Sequence, residues 1–247
     1  SGELDNGWTV STTYSMTNAA FSTSQVTIDM GDQGTVGLWN NASGAGINKY
    51  QDMMPTAGEQ VWDDSDTDDN GIVVHDNDNM IGYNGSFGGI GLSLAYVNGG
   101  AGGKDGGSSD SSWVVTYDGL MDGLSLGVGQ GENGTTSDLS TAYAKYTAGS
   151  ITVGYQFSEI ENAQGTADEE SRHLGASIAV NENLSVSAGR FEVDMGAGTV
   201  DEESTGFSAS YTMGSSTIGF VANSTENVAG TANSDDSYRE ISVSFAF

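Results

Sequence analysis

The sequence predicts an all-β fold, a transmembrane antiparallel up-and-down β-barrel, on three observations. Apolar residues recur at every second position, the residues between them are small and uncharged, and short links alternate with long ones.

The period-two signal comes first. Trp8, Val10, Thr12, Tyr14 and Met16 alternate with Thr9, Ser11, Thr13 and Ser15. Ile90, Leu92, Leu94 and Tyr96 repeat the pattern, as do Ile151, Val153, Tyr155 and Phe157, then Leu174, Ala176, Ile178 and Val180. Leu184, Val186 and Ala188 follow it, then Phe207, Ala209, Tyr211 and Met213, and finally Ile241, Val243, Phe245 and Phe247. Alternation of this kind puts one side-chain set on each face of a strand. Helical spacing is sustained nowhere.

The two faces come second. One is aliphatic and aromatic; the other is almost wholly Thr, Ser, Gly, Ala and Gln. A water-soluble sandwich salts its polar face with Lys and Glu, which keep it soluble and block edge pairing. An uncharged polar face opposite an apolar one suits lipid outside and water within. A soluble β-sandwich or lectin-like barrel is the alternative.

The links come third. Roughly 14 strands of about 8–11 residues can be read, the length a tilted membrane strand needs. Short links fall near Asp32-Gln33-Gly34, Gly85 to Gly88, Asp118 to Gly123, Thr147 to Ser150, Asn181-Glu182-Asn183 and Gly214-Ser215-Ser216. Longer ones are expected over Asn40 to Asp78, Asn98 to Ser111, Gln130 to Asp138, Glu159 to Glu170, Asp194 to Glu203 and Ser224 to Ser237. The acids crowd into these connections.

Composition narrows the function. The 247 residues include 37 Gly, one Pro and no Cys, and 6 Lys+Arg stand against 34 Asp+Glu, a formal charge of −28. Without cysteine there is no disulfide scaffold and no thiolate metal site. A charge of −28 argues against a nucleic-acid partner, since phosphate affinity rests on Lys and Arg. No apolar stretch approaches the roughly 18 residues of a membrane helix, and no signal-peptide pattern stands at Ser1. The only histidines, His75 and His173, stand in no recognisable nucleophile–base arrangement, so an enzyme is not expected. A secreted calcium-binding β-roll would iterate a nonapeptide, and none is present.

Several local motifs then carry a resemblance. They are Leu4-Asp5-Asn6-Gly7 with the strand from Trp8, Val26 to Gly34, Val36 to Trp39, the Gly/Asn-rich start Asn40-Asn41-Ala42-Ser43-Gly44, and the ending Ser244-Phe245-Ala246-Phe247. With these the chain resembles the trimeric general-diffusion porins of Gram-negative bacteria, most closely the alphaproteobacterial type. The resemblance implies one β-barrel domain over residues 1–247, in the outer membrane, among lipid and lipopolysaccharide. It implies a homotrimer passing small hydrophilic solutes and ions, with no required cofactor. A substrate-selective channel is the alternative within the class.

Family members have sixteen strands, with the constricting loop after the fifth; here the long loop follows the third strand that can be read. The resemblance thus implies about 14 of 16 strands, with a signal peptide and first hairpin outside this sequence and Ser1 to Gly7 as the turn before Trp8. A genuine fourteen-stranded barrel is the alternative.

Residues 40–78 form a loop too long to be idle, and the resemblance folds it into the pore as the constriction. Asp52, Glu59, Asp63 and Asp64 are its candidate aperture acids, and Lys145, at lumen parity on a later strand, is the candidate base opposite. Acid crowded into a narrow aperture favours cations; a solvated surface loop is the alternative. Within the loop, Asp66-Thr67-Asp68-Asp69-Asn70-Gly71 fits the opening of a calcium loop, with Asp66, Asp68, Asn70 and Asp76 as candidate Ca²⁺ ligands. The twelfth-position Glu is replaced by Asn77, and an acidic turn screened by salt is the alternative.

Of the remaining bases, Arg190 has outward parity near a strand's upper end, and Arg172 and Arg239 are expected to pair with loop acids. Trp8, Tyr96, Trp113, Tyr146, Tyr155, Phe157, Phe191, Tyr211, Phe220 and Phe247 are expected to form the aromatic girdles.

Overall fold

A computed structural model describes residues 1–17, 20–62, 70–99, 108–134, 137–162, 167–196 and 199–246. The alternating segments become fifteen antiparallel strands. These begin with β1 (Gly2–Glu3), β2 (Thr9–Thr17), β3 (Ala20–Asp29), β4 (Thr35–Asn40), β5 (Met80–Phe87), β6 (Ile90–Val97), β7 (Asp110–Tyr117) and β8 (Leu124–Asn133). They continue with β9 (Ser137–Ala148), β10 (Ile151–Asn162), β11 (Glu169–Ala179), β12 (Leu184–Asp194), β13 (Glu202–Met213), β14 (Ser216–Glu226) and β15 (Asp236–Phe245). Each strand pairs with its chain neighbours in a single sheet, which does not close: β1 pairs only with β2, and β15 only with β14. Helical structure among the described residues is limited to the 3-10 turns Gly31–Gln33, Ile47–Tyr50 and Val228–Gly230.

Register converts alternation into two surfaces. Tyr155 lies opposite Ala144 and Leu174, while Gln156 lies opposite Tyr143 and His173. The first set points outward, where Leu94, Trp113, Val128, Tyr155, Leu174, Phe207, Ile218 and Ile241 are all exposed. The second points inward, where Ser93, Thr141, Gln156, Ser171, Ser187, Ser208 and Thr225 are buried. An apolar exterior around a polar interior inverts a soluble fold and matches a lipid surround. The turns at one end are tight; β5 and β6 join through Gly88 and Gly89, whose positive φ of 61° and 85° suit a two-residue hairpin.

Three sequence expectations need correction. Strands extend further toward the loop end than expected: β8 ends at Asn133 and β9 begins at Ser137, and β10 runs to Asn162. Ladder hydrogen bonds continue past the apolar band, so Glu132, Asp138, Glu159, Glu161, Glu170 and Glu203 stand on strand ends and not in loops. Phe191 is no girdle residue: it is only 1% exposed, points inward and packs on His173 with ring centroids 4.1 Å apart. Arg172 pairs with the strand acids Glu170 (2.9 Å) and Glu192 (3.5 Å), not with loop acids. Phe247 lies outside the described residues.

Candidate functional site

The connection between β4 and β5 lies against the inward face of the sheet and narrows the interior. Its described parts are 41–62 and 70–79. Three apolar anchors seat it. Ala45 packs with Trp39, Met80, Ala95 and Val97; Ile47 and Val73 with Val114 and Leu139; Trp62 and Ile72 with Phe191 and Val193. Burying Ile47 and Val73 completely contributes about 1.5–3 kcal/mol each.

Between the anchors, wall side chains satisfy the loop's backbone, which would otherwise be orphaned. The Gly46 N–H donates to Ser93 Oγ (2.8 Å) and the Ile47 N–H to Ser112 Oγ (2.9 Å). Gln156, fully buried on β10, accepts from the Met53 N–H (2.8 Å) and donates to the Tyr50 carbonyl (2.9 Å) and Thr141 Oγ1 (2.8 Å). The Ala57 N–H donates to Ser187 Oγ (2.9 Å), and Asn223 Nδ2 donates to the Gln60 carbonyl (3.1 Å). On the return limb, Ser171 Oγ donates to the Gly71 carbonyl (2.7 Å) and the Asp76 N–H donates to Asp110 Oδ2 (3.0 Å). The loop thus follows the wall from β6 to β14 and back to β7.

A row of missing side chains makes room for it. Gly154, Gly175, Gly189 and Gly206 are directly paired across β10 to β13 at one height. A Cβ at Gly175 would stand 2.9 Å from Met54 Cβ, and one at Gly154 would stand 3.0 Å from Pro55 Cδ. At Gly189 it would meet Val61 Cγ1 at 3.0 Å. The chain's only proline therefore sits in a seat built of glycines.

The predicted aperture residues fall in different places. Asp52 does not line open space: its side chain is 5% exposed, and it accepts from the Met54 N–H (2.7 Å) and Trp62 Nε1–H (2.8 Å). Its Oδ2 lies 3.6 Å from His173 Nδ1, an ion-pair distance rather than a hydrogen bond. Burial pushes the Asp52 carboxyl up, but His173 and the two N–H donors outweigh it and hold it below the usual carboxylate range. Glu59 sits at the loop–wall contact beside Trp62 and Ser187. Asp63 and Asp64 lie outside the described residues, as do Asp66 and Asp68. Lys145 has inward parity on β9, opposite Ser125 and Gly154. Lys49 reaches Asn84 Oδ1 (3.2 Å) and lies over the Tyr50 ring, and burial pushes its ammonium below the usual lysine value.

Of the candidate calcium ligands, Asn70 donates to Glu202 Oε2 on β13 (3.1 Å), whereas Asp76 is held at β7 through Asp110. Their bonds thus go to well-separated strands, and no group of three acidic or histidine residues that could hold a metal occurs among the described residues.

Sequence reading missed the residues that hold the loop: Gln156, Ser187, His173, the glycine row, and Ser208, whose Oγ lies 3.2 Å from Thr56 Oγ1. The glycines carried a signal, because each occupies an inward position on consecutive strands. Without the register, nothing aligned them.

Comparison with known proteins follows the geometry. The family description Gram-negative porin matches residues 1–247. None of the curated proteins compared with the chain matches it in sequence. Among solved structures, a five-substitution mutant of the Rh. blastica porin is 16% identical with a TM-score of 0.68, over 100% of this chain and 87% of that one. The anion-selective porin from Comamonas acidovorans is 17% identical with a TM-score of 0.66, over 93% and 80%. OmpT, an outer membrane protein of Vibrio cholerae, is 12% identical with a TM-score of 0.56, over 90% and 77%. At such identities these structures share the fold, while the family match covers every residue. The chain belongs to the Gram-negative porins, channel proteins of the outer membrane.

Proposed function

We propose that this porin is a general-diffusion channel for small hydrophilic solutes and ions, with a preference for cations. The observation that carries the reading is the sidedness of its few bases. Arg172, Arg190 and Arg239 all have outward parity, opposite Glu192, Leu174 and Ala222 respectively. Among the described residues only Lys49 and Lys145 lie on the channel side. Asp110, Glu169, Glu202, Asp236 and Glu240 share inward parity on the strands, and the loop adds Glu59. An acidic lining with two bases produces a negative potential that concentrates cations. The Comamonas porin, described as anion-selective, has the same fold, so the sign of selectivity belongs to side chains.

The reversal potential in a KCl gradient across a planar bilayer tests the reading. A potential of cation-selective sign is expected, and an anion-selective one overturns it. Saturable block of conductance by a single solute would favour a substrate-selective channel instead. Homotrimeric assembly is part of the same proposal, supported by the family and checked by native mass measurement in detergent. So is a divalent cation at the Asp66–Asn70 segment, supported by the sequence motif alone. Calorimetric titration of Ca²⁺ into the wild type and a D66N/D68N variant tests it.

A further inference from the structure

We propose that Asp52 and His173 form a proton-dependent latch that positions the loop in the channel. The proposal rests on the channel reading above. His173 is 2% exposed, and neither ring nitrogen has a hydrogen-bond partner. Leaving a buried polar group unpaired costs about 1–3 kcal/mol, so a histidine is an expensive filler here unless its proton matters. Its Nδ1 is aimed at the Asp52 carboxylate 3.6 Å away, and its ring stacks at a tilt on Phe191. The Trp62 indole, which donates to the same carboxylate, also packs on Phe191, with ring centroids 6.4 Å apart. Loop carboxylate, loop tryptophan and wall histidine therefore close one cluster, next to the glycine seat of Met54 and Pro55. An adjoining cavity of ≈ 20 Å³, enough for one water, gives protons a route to the ring.

A protonated imidazolium neutralises the buried Asp52 carboxylate and fastens the loop. A neutral ring leaves that carboxylate with only the Met54 and Trp62 donors, and the loop loosens. The surrounding charges do not replace the pair. The loop contributes Glu59, which lines the same cavity as Asp52, and β11 contributes Glu169 on the same face, held by the Gly71 N–H. From β10 the inward neighbours are Gly154, Gln156 and Ser158, and β9 beyond it carries Lys145. The β12 charges Arg190 and Glu192 point outward, bonded to each other. His173 and Asp52 act as positioning residues: they touch no solute, and set where the loop lies.

The test is single-channel recording of the full chain in planar bilayers from about pH 5 to 8, the range in which an imidazole changes charge. Brief conductance excursions of the wild type are expected to become about tenfold more frequent as pH rises, the factor that corresponds to one pKa unit of differential interaction between two charge states. H173Q and D52N are expected to flatten that profile. Nitrogen NMR of the folded wild type reads the same event without substitution, as one imidazole titrating together with the excursions. A flat wild-type profile, a pH-dependent H173Q channel, or excursions with no accompanying imidazole titration would each overturn the latch. Absence of any channel would instead sink the general-diffusion reading.

Discussion

Two of the loop's fastenings involve a histidine, and they differ in kind. At its root, Asn48 and His75 clamp the outgoing and returning limbs through bonds of 2.8 and 3.0 Å. His75 satisfies both ring nitrogens, Nδ1 with the Asp76 carbonyl (2.7 Å) and Nε2 with Ser112 Oγ (2.8 Å), and burial pushes its basicity down. Toward its tip, His173 has no such partners and faces a carboxylate. One histidine has both ring nitrogens bonded; the other has neither. Equal burial therefore says little about role, whereas the count of satisfied nitrogens says much.

The largest test of this contrast fills the glycine seat. Gly175→Val places a branched side chain where Met54 and Pro55 lie, a strain of about 1–3 kcal/mol that the loop relieves by moving. Single-channel conductance is expected to change markedly, and an unchanged conductance would show that the tip does not set the aperture. Next comes the root. Ser112→Ala removes the acceptor of the Ile47 N–H and the partner of His75, at a cost of about 1–3 kcal/mol. A lowered urea midpoint is expected with the pH profile of the excursions retained; a lost profile would erase the distinction between the two fastenings.

Acid offers a finer probe. Because the Asp52 pKa is depressed in the folded state, the contribution of its Met54 and Trp62 donors is present above the ordinary value of 3.8 and is lost as pH falls through the lowered one. Protease cleavage of the loop should therefore increase below about pH 3.8 in the wild type and not in D52N, where the contribution is already gone. The smallest effect belongs to the exterior. Arg172→Ala breaks partly exposed pairs with Glu170 and Glu192, for about 0.2–1 kcal/mol, and is expected to leave conductance unaltered. A conductance change would mean that the outer charges act on the pore.

Much of the fold was legible because alternation is a local property: Tyr155 and Gln156 declare opposite faces from sequence alone. What covers a face is not local. Gln156, His173 and Ser187 meet the loop at sequence separations of about a hundred residues or more, and no periodicity predicts such a meeting. Phe191 shows the failure most clearly. Its aromatic ring at a strand end suited a girdle, yet its parity, shared with His173, put it under the loop. Asp52 failed in the opposite sense: an acid in a constriction loop reads as a selectivity charge until its donors are seen.

The glycine row gives the channel a dimension that can be set from behind. Since the loop rests on backbone at Gly154, Gly175 and Gly189, its standoff from the wall is a matter of hydrogen atoms in place of methyl groups. Each alanine introduced along that row would act as a shim under one point of the loop. Bore could then be graded in steps, strand by strand, with the charge around the opening left as it was.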